Sequence, residues 1–489
     1  MNLKLNLSGK TNYDISSLLQ LANFTIIVIA PVMFLNEGPT MFINGFTVAL
    51  ACIFCILNIL ILYYEIRNRD PFMQILVFVT TLFYLTRILT LMYDPIPHYT
   101  SALQRFKIQV YDFNYALIFI ILSNVFIFLG LAFAKGKIIF KEIDFNIHKP
   151  GNPLTVSFIL LFTLVSNYFF ILGFESLGRL SSFIASIFMG TGMILLMTIN
   201  YTLMNYRNLS KVSRIVLILL FTLFLVIATI HGSRSSFLTL FILFICVVLS
   251  LKNKILISRR SIFIGILLIP ILIFSFLVAT YVRKLQYDTK TVIDKERIEY
   301  IKEFKLADLA VEQVQVLSPI FDRVGYLGYS VDMITNAKKY RRFINFRHYF
   351  KSIIDNGLTP GFDVFDTPRA SHSLKYVYFN IKEKPTQKAI AANYNSDMFT
   401  IYGEYYILFG GYPALILLLL AAYLFKKIYL IIKTDNIFLF YLLRSLILLI
   451  YYNWLISFGF DWMIVEIIGY LIPIFIWWKS FSMKMRKIS

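Results

Sequence analysis

The chain has 489 residues, of which 58% are hydrophobic and 15% are charged, and its formal net charge is +20. Soluble domains carry about 25% charged and about 45–50% apolar residues, so this composition excludes a soluble enzyme, a disordered protein and a disulfide scaffold. The positive charge does not indicate nucleic-acid binding, because Lys and Arg collect in the cytoplasmic loops of membrane proteins. The sequence therefore predicts an all-α polytopic integral membrane protein.

Twelve apolar runs are long enough to cross a bilayer, since a span needs about 20 mostly apolar residues. Lipid offers the backbone no hydrogen-bond partners, so each run is predicted to be a helix. The predicted spans are 18–35, 41–64, 72–92, 115–134, 154–173, 183–205, 213–230, 235–251, 262–282, 397–424, 437–456 and 460–478.

The distribution of Lys and Arg sets the predicted orientation. With the N-terminus inside, the inner segments carry 22 Lys and Arg, whereas the short outer loops carry 4. The positive-inside rule then places both termini in the cytoplasm. Residues 1–282 would form spans one to nine, residues 283–396 an extracytoplasmic loop, and residues 397–489 spans ten to twelve with a cytoplasmic tail.

The large loop has 114 residues, with 19 Lys and Arg against 13 Asp and Glu. Long loops cross membranes regardless of charge, so its basic excess does not contradict the orientation. Apolar periodicity predicts that the loop is mostly helical, with helices over 291–317, from Pro319 onward, and over 340–356, the last ended by Gly357 and Pro360.

Ionisable residues within membrane spans are costly and therefore informative. Arg87, Glu404, Asp461 and Glu466 fall in the outer halves of their predicted spans, and only Arg444 falls in an inner half. A transport path would run through the middle of the bilayer. This one-sided placement instead predicts a polar cavity open to the outer face, lined by Arg87, His231 and Asp461.

The sequence HGSRSS (231–236) forms the predicted outer turn between spans seven and eight. Gly232 permits a tight turn, the serines offer hydroxyls, and the N-terminus of span eight points at the same place. With Arg234 this arrangement predicts an anion site at headgroup depth. The alternative is a plain tight turn with an interfacial arginine.

Further basic residues of the loop are candidate ligands for a lipid diphosphate or candidate bases. On a regular helix Arg341 and Arg347 point in different directions, while His348 returns to the face of Arg341. A solvated basic face is therefore an equally open interpretation. The candidates are Arg323, Arg341, Arg347, His348, Arg369 and His372.

No sequence pattern indicates a metal or a cofactor. The histidines lack the spacing of a zinc site, and neither a Walker A sequence nor a dinucleotide-binding fingerprint occurs. The three cysteines lie in apolar runs, where cysteine is mostly a packing residue. We predict neither a metal site nor a cofactor.

Three stretches resemble bacterial O-antigen polymerases of the Wzy type. They are HGSRSS (231–236), TPGFDVFDTPRASH (359–372) and NYNSDMFTIYGEYYILFGGYPALILLLL (393–420), set within twelve spans and one large late outer loop. The resemblance implies a metal-independent glycosyltransferase of the bacterial inner membrane. It would polymerise undecaprenyl-diphosphate-linked oligosaccharide repeats at the outer face, with membrane lipid and a chain-length regulator protein as further partners and no nucleic acid.

The implied reaction needs arginines to stabilise the departing diphosphate and a base to take the proton of the acceptor hydroxyl. Arg234 is assigned to the diphosphate, together with Arg323, Arg341, Arg347 and Arg369. His372, His348 and Glu404 are the candidate catalytic groups. Loop aromatics such as Tyr326 are candidates for stacking on sugars.

Two alternatives stay open. An O-antigen ligase shares this architecture and chemistry but passes the glycan to lipid A core. A polysaccharide flippase also has about twelve spans and basic cavities, although it does not need a folded outer loop of this size and its charges should reach the membrane midplane.

Overall fold

The computed structural model describes about half of the chain. The described residues are 13–36, 43–93, 108–134, 143–144, 196–197, 199–200, 203, 211, 215, 222, 234–251, 256–257, 326–359, 364–371, 373–374, 399–433, 437–456, 459–461, 463–468 and 470. Their regular secondary structure is helical apart from four two-residue strands, β1 (Tyr13–Asp14), β2 (Ile143–Asp144), β3 (Leu256–Ile257) and β4 (Ile432–Lys433). The helical class predicted from composition is confirmed.

The helices have the following bounds. They are α1 (Ile15–Asn36), α2 (Gly45–Asn68), α3 (Pro71–Thr80), α4 (Thr86–Tyr93), α5 (Val110–Phe133), α6 (Arg234–Ser250), α7 (Tyr326–Thr335), α8 (Ala337–Tyr340), α9 (Phe346–Ile353), α10 (Ile401–Phe409), α11 (Gly411–Ile431) and α12 (Ile437–Ile456). Wider π-helical turns follow α3, at Thr81–Leu85, and α9, at Ile354–Leu358. Residues 460–461, 463–468 and 470 are also helical.

Five helical segments among the described residues are long and apolar enough to cross a membrane. They are Gly45–Asn68, Pro71–Ile88, Val110–Phe133, Gly411–Ile431 and Leu439–Ile456. The protein is therefore a helical membrane protein. Predicted spans five, seven and nine fall almost wholly outside the described residues, so the total of twelve stays a prediction.

Predicted span ten is two helices, not one. The run 397–424 reads as continuous by hydropathy, but α10 ends at Phe409 and α11 begins at Gly411. Gly410 has φ +76°, a left-handed conformation that is open to glycine and strained for other residues. The break leaves α10 in front of the membrane-spanning helix, and α11 continues to Ile431, beyond the predicted end.

Helices α5 and α11 pack closely against each other. A side chain at Gly130 would approach the backbone oxygen of Leu419 to 2.2 Å, so only glycine fits there. Small residues at an interface let the backbones of membrane helices approach closely. Such packing drives helix association in lipid, where no hydrophobic effect acts between helices.

One end of the bundle holds a buried ion pair. Asp70 caps α3 by accepting from the Phe72 N–H, and it also accepts a hydrogen bond from the Lys426 ammonium. Lys426 donates to the Leu131 carbonyl oxygen as well, across 2.7 Å. Predicted span ten ends at residue 424, which would leave Lys426 and Lys427 in the inner connection that follows. Both residues are instead buried within α11.

Two short strand pairs join distant parts of the chain. β1 pairs with β3, and β2 pairs with β4. Each pair links two segments that the Lys and Arg count assigned to the inner side. The strand pairs agree with that grouping, whereas the assignment of this side to the cytoplasm stays a prediction.

The first described helix of the predicted loop, α7, is inserted into the bundle. Tyr326 and Val331 are part of the main hydrophobic core, and the Tyr326 ring packs against Phe83. Ser330 donates to the hydroxyl of Thr400 across 2.8 Å, just before α10. The loop thus begins its described part as a core element of the bundle.

Aromatic rings form a connected group inside the bundle, which we call the aromatic layer. Tyr451 packs against Phe72 and Phe425, and Trp454 packs against Phe425 and Tyr405. Tyr405 and Trp454 are also joined by a hydrogen bond of 3.0 Å. The aromatic layer thus runs from Phe72, two residues after Asp70, to Tyr405, the neighbour of Glu404.

Candidate functional site

Polar side chains from four segments meet beside α9, in front of the break at Gly410. We call this group the polar cluster. Its members are His348, Tyr349 and Ser352 of α9, Arg369 and Ser373 of the following segment, Glu404 of α10, and Asp461 of the helix at 460–470.

The local sequence turns three polar residues of α9 inward. Asn345 caps the helix by accepting from the His348 N–H across 3.0 Å, and this fixes where the helix begins. At 100° per residue, His348, Tyr349 and Ser352 then share one side of α9. All three are buried.

Asp461 ties three segments together. It is fully buried, and its Oδ2 accepts hydrogen bonds from Ser352 Oγ at 2.5 Å and from the Ala370 N–H at 2.9 Å. A buried carboxylate is stable only when it is well bonded. This residue therefore joins α9 and the segment around Ala370 to the last predicted span.

Glu404 makes a second junction. Its Oε1 accepts from the Tyr349 hydroxyl at 2.6 Å and from the Phe460 N–H at 2.6 Å. The sequence placed Glu404 within span ten. It instead lies on the short helix α10, which packs against the loop helices. The hydrogen bonds from Tyr349 and Phe460 stabilise its buried carboxylate.

His348 has the surroundings of a neutral imidazole. Burial lowers the pKa of its ring below the usual 6.5, while Asp461 acts in the opposite direction. A ring N–H bonds the carbonyl oxygen of Pro368, since proline has no N–H to donate. Nε2 lies 3.3 Å from Ser373 Oγ. A neutral ring near pH 7 is able to accept a proton.

Arg369 supplies positive charge to the cluster. Burial lowers the pKa of its guanidinium to about 10, against the attraction of Asp461 and Glu466. A group with that pKa remains charged at pH 7. Arg369 can therefore balance the carboxylates and attract an incoming anion.

The segment that carries Arg369 is held in place by Asp355. The carboxylate of Asp355 accepts from the Phe365 N–H at 2.9 Å and from the Thr367 N–H at 2.8 Å. These two bonds satisfy backbone donors of an irregular segment, and they fix its path alongside α9.

The structure thus brings together four of the residues singled out from the sequence, namely His348, Arg369, Glu404 and Asp461. Arg341 lies outside the polar cluster and has a structural role. Its Nε donates to the Ile407 oxygen at 2.6 Å and its Nη2 to the Tyr406 oxygen at 3.1 Å, so it caps the end of α10. The roles assigned to these residues stay predictions.

The helix predicted over 340–356 is wrong in one respect. A turn at 341–344 separates α8 from α9, so Arg341 and His348 do not share a helix face. Arg347 is exposed on the outer side of α9. Tyr326 is buried against Phe83 and is not available to stack on a sugar.

The remaining predicted site residues are only partly described. Arg87 is buried in α4. Arg234 is the first residue of α6, as the predicted helix N-terminus requires. His231, Arg323 and His372 lie outside the described residues.

Sequence reasoning missed several members of the polar cluster and its support, because Tyr, Ser and a lone Asp are common in loops. Two signals were present. Asp355 is the only acid in the strongly basic stretch 338–359, and Asn345 stands three residues before His348, as a helix cap does.

Within the described part of the chain, no group of three or more His, Cys, Asp or Glu is placed to hold a metal ion. No protein-family model, no curated protein and no solved structure matches the chain.

Proposed function

We propose that the chain is a membrane-embedded glycosyltransferase that polymerises undecaprenyl-diphosphate-linked oligosaccharide repeats into O-antigen or a related surface polysaccharide. One observation carries the proposal. His348, Arg369 and Glu404, singled out as catalytic or diphosphate-binding residues, and Asp461, predicted to line the outer cavity, come from four separate segments and converge in one polar cluster.

The cluster offers the groups that the reaction needs. The bond between the anomeric carbon of the donor and the diphosphate oxygen breaks, and a bond from that carbon to the acceptor hydroxyl oxygen forms. The hydroxyl proton passes to the neutral ring of His348. The diphosphate leaves with the negative charge, which Arg369 stabilises. In this proposal Asp461 and Glu404 position the two groups.

The placement of the cluster favours an enzyme over a flippase. His348, Arg369, Glu404 and Asp461 gather at one place, in front of the break at Gly410. A flippase instead needs polar groups along a path through the bilayer.

The test uses bacterial cells with an intact glycan pathway in which the chromosomal gene is replaced by variants. We expect His348→Ala and Arg369→Ala to reduce polymer formation by about 100-fold or more, the range for loss of a general base or an electrostatic stabiliser. The measurement is the ladder of surface polysaccharide on a gel, at matched membrane abundance. Arg342→Ala is the control, because Arg342 is equally basic but exposed and outside the cluster.

The pattern of products separates the alternatives. Collapse of the ladder to a single capped repeat supports a polymerase. Polymer retained on its carrier lipid, with none on lipid A core, identifies a ligase. Repeat units that accumulate only at the cytoplasmic face identify a flippase. Ladders of normal length in both variants refute the assignment of this cluster as the active site.

A further inference from the structure

Helix α9 presents its apolar side chains outward, the reverse of a helix packed on a soluble protein. His348, Tyr349 and Ser352 point into the polar cluster. Phe346 and Phe350, one turn apart, are 61% and 65% exposed. Two phenylalanines so exposed on one helix side indicate a surface that is covered in the working protein.

The exposed phenylalanines belong to a larger apolar surface. Leu358, Val364 and Phe365 are also exposed. Lys351 connects α9 to these later residues, since its ammonium lies 5.1 Å from the centre of the Phe365 ring. We define the aromatic-basic face as Phe346, Arg347, Phe350, Lys351, Leu358, Val364 and Phe365.

The exposed charge on α9 and in the residues before it has one sign. In the described stretch 337–359 the exposed charged residues are Lys338, Lys339, Arg341, Arg342 and Arg347. The one acid of that stretch, Asp355, is buried under the backbone of the following segment. The covering partner must therefore offer apolar surface together with negative charge.

The position of the face relative to the membrane-spanning helices identifies that partner. The Phe346 ring lies 5.4 Å from the ring of Phe409, the last residue before the break, and α11 begins two residues later. Tyr412, in the first turn of α11, is 78% exposed, and Tyr111, in the first turn of α5, is 80% exposed. Tyrosines at the ends of spans mark the membrane interface.

We propose that the aromatic-basic face rests on the lipid bilayer, with Phe346 and Phe350 inserted at the interface and Arg347 and Lys351 bound to anionic phospholipid headgroups. This is the arrangement of an interfacial amphipathic helix. It is independent of the proposed glycosyl transfer, because it requires only that the chain is a membrane protein. It also gives Arg347 a partner other than the substrate diphosphate.

The first experiment replaces Phe350 by the photo-cross-linker benzoylphenylalanine, which keeps an aromatic side chain, in the full chain. The protein is irradiated in cell membranes and in vesicles of phosphatidylcholine with about one third phosphatidylglycerol. Adducts are then identified by mass spectrometry. The same replacement at Tyr412 is the positive control, and at Lys339, exposed on α8, the comparison outside the face.

We expect phospholipid adducts at position 350 in both membranes, with a yield close to that at 412 and several-fold above that at 339. An adduct with a second copy of the chain or with another protein would overturn the proposal, as would a yield no higher than at position 339. Photochemistry reports on contact, so this result does not depend on activity.

The second experiment tests the charge. The double variant Arg347→Gln/Lys351→Gln is made in the Phe350 cross-linking protein, and the ratio of phosphatidylglycerol to phosphatidylcholine adducts is measured at low salt. We expect this ratio to fall about fivefold for each charge removed. The matched variant Lys338→Gln/Lys339→Gln should change it much less. Equal ratios in all three proteins would refute recognition of anionic headgroups by this face.

Discussion

Ser352 Oγ donates a hydrogen bond to Asp461 Oδ2 across 2.5 Å, although the two residues are 109 positions apart in the sequence. Because the same carboxylate oxygen also accepts from the Ala370 N–H, one buried group fastens the predicted outer loop to the last predicted span. The polar cluster therefore depends on a tertiary contact that is lost when either Ser352 or Asp461 is replaced.

Replacing Asp461 should destabilise the protein more than replacing Ser352. Asp461→Asn removes a negative charge that attracts Arg369, and leaving a buried charge uncompensated costs about 3 kcal/mol. Ser352→Ala removes one hydrogen bond and leaves the carboxylate its bond from Ala370, at a cost of about 1–2 kcal/mol. Thermal unfolding of the purified full chain in detergent measures both. Equal effects would show that the Asp461 charge is not needed for stability.

The stability of the protein should depend on pH through Asp332 of α7. Burial raises the pKa of this carboxyl to about 7, against hydrogen bonds from Tyr340 and Asn336. Because the folded pKa lies above the unfolded value, Asp332 contributes stability that is complete below about pH 4 and is lost as the pH rises through about 7.

The variant Asp332→Asn keeps the shape and cannot ionise, so its melting temperature should vary less over this range than that of the native protein. The melting temperature of both proteins is measured between about pH 4 and pH 8. Parallel pH profiles would contradict the buried carboxyl as the source of the dependence.

The Asp70–Lys426 pair should show strong coupling in a double-mutant cycle. Lys426→Met and Asp70→Asn each leave a buried group without its partner, at a cost of about 3–5 kcal/mol. The double variant removes both charges and should recover part of the loss. Additive single effects, measured as free energies of unfolding, would show that the two side chains do not act together.

Arg341 should act through the geometry of its guanidinium. Nε and Nη2 donate to two successive carbonyl oxygens at the end of α10, which a lysine ammonium cannot reproduce as a fork. We expect Arg341→Ala to cost about 1.5–3 kcal/mol of stability and Arg341→Lys to restore only part of it. Arg342→Ala, an exposed neighbour, is the control. Full rescue by lysine would indicate that charge alone matters at this position.

Helix existence was readily predicted, because long apolar runs leave few alternatives in a membrane. Helix continuity was not. The residues around Gly410 are apolar on both sides, so hydropathy does not register the left-handed backbone that ends α10. In the same way, the stretch 340–356 was predicted as one helix, but a turn ends α8 and the Asn345 cap begins α9.

The candidate site was predicted in part. Glu404 and Asp461 stood out because carboxylates are rare in apolar runs, and Arg369 because it lies in an irregular, proline-containing stretch. The partners Ser352 and Tyr349 could not be foreseen. Their roles depend on which carboxylate, distant in sequence, each of them contacts. A single sequence does not show which residues are close in space.

The aromatic layer has a consequence for how a change at one site reaches the other. Phe72, two residues after Asp70, packs on Tyr451, and Tyr451 packs on Trp454. Trp454 is hydrogen-bonded to Tyr405, the neighbour of Glu404. Because close-packed side chains transmit strain, these rings form a continuous mechanical connection between the Asp70–Lys426 pair and the polar cluster.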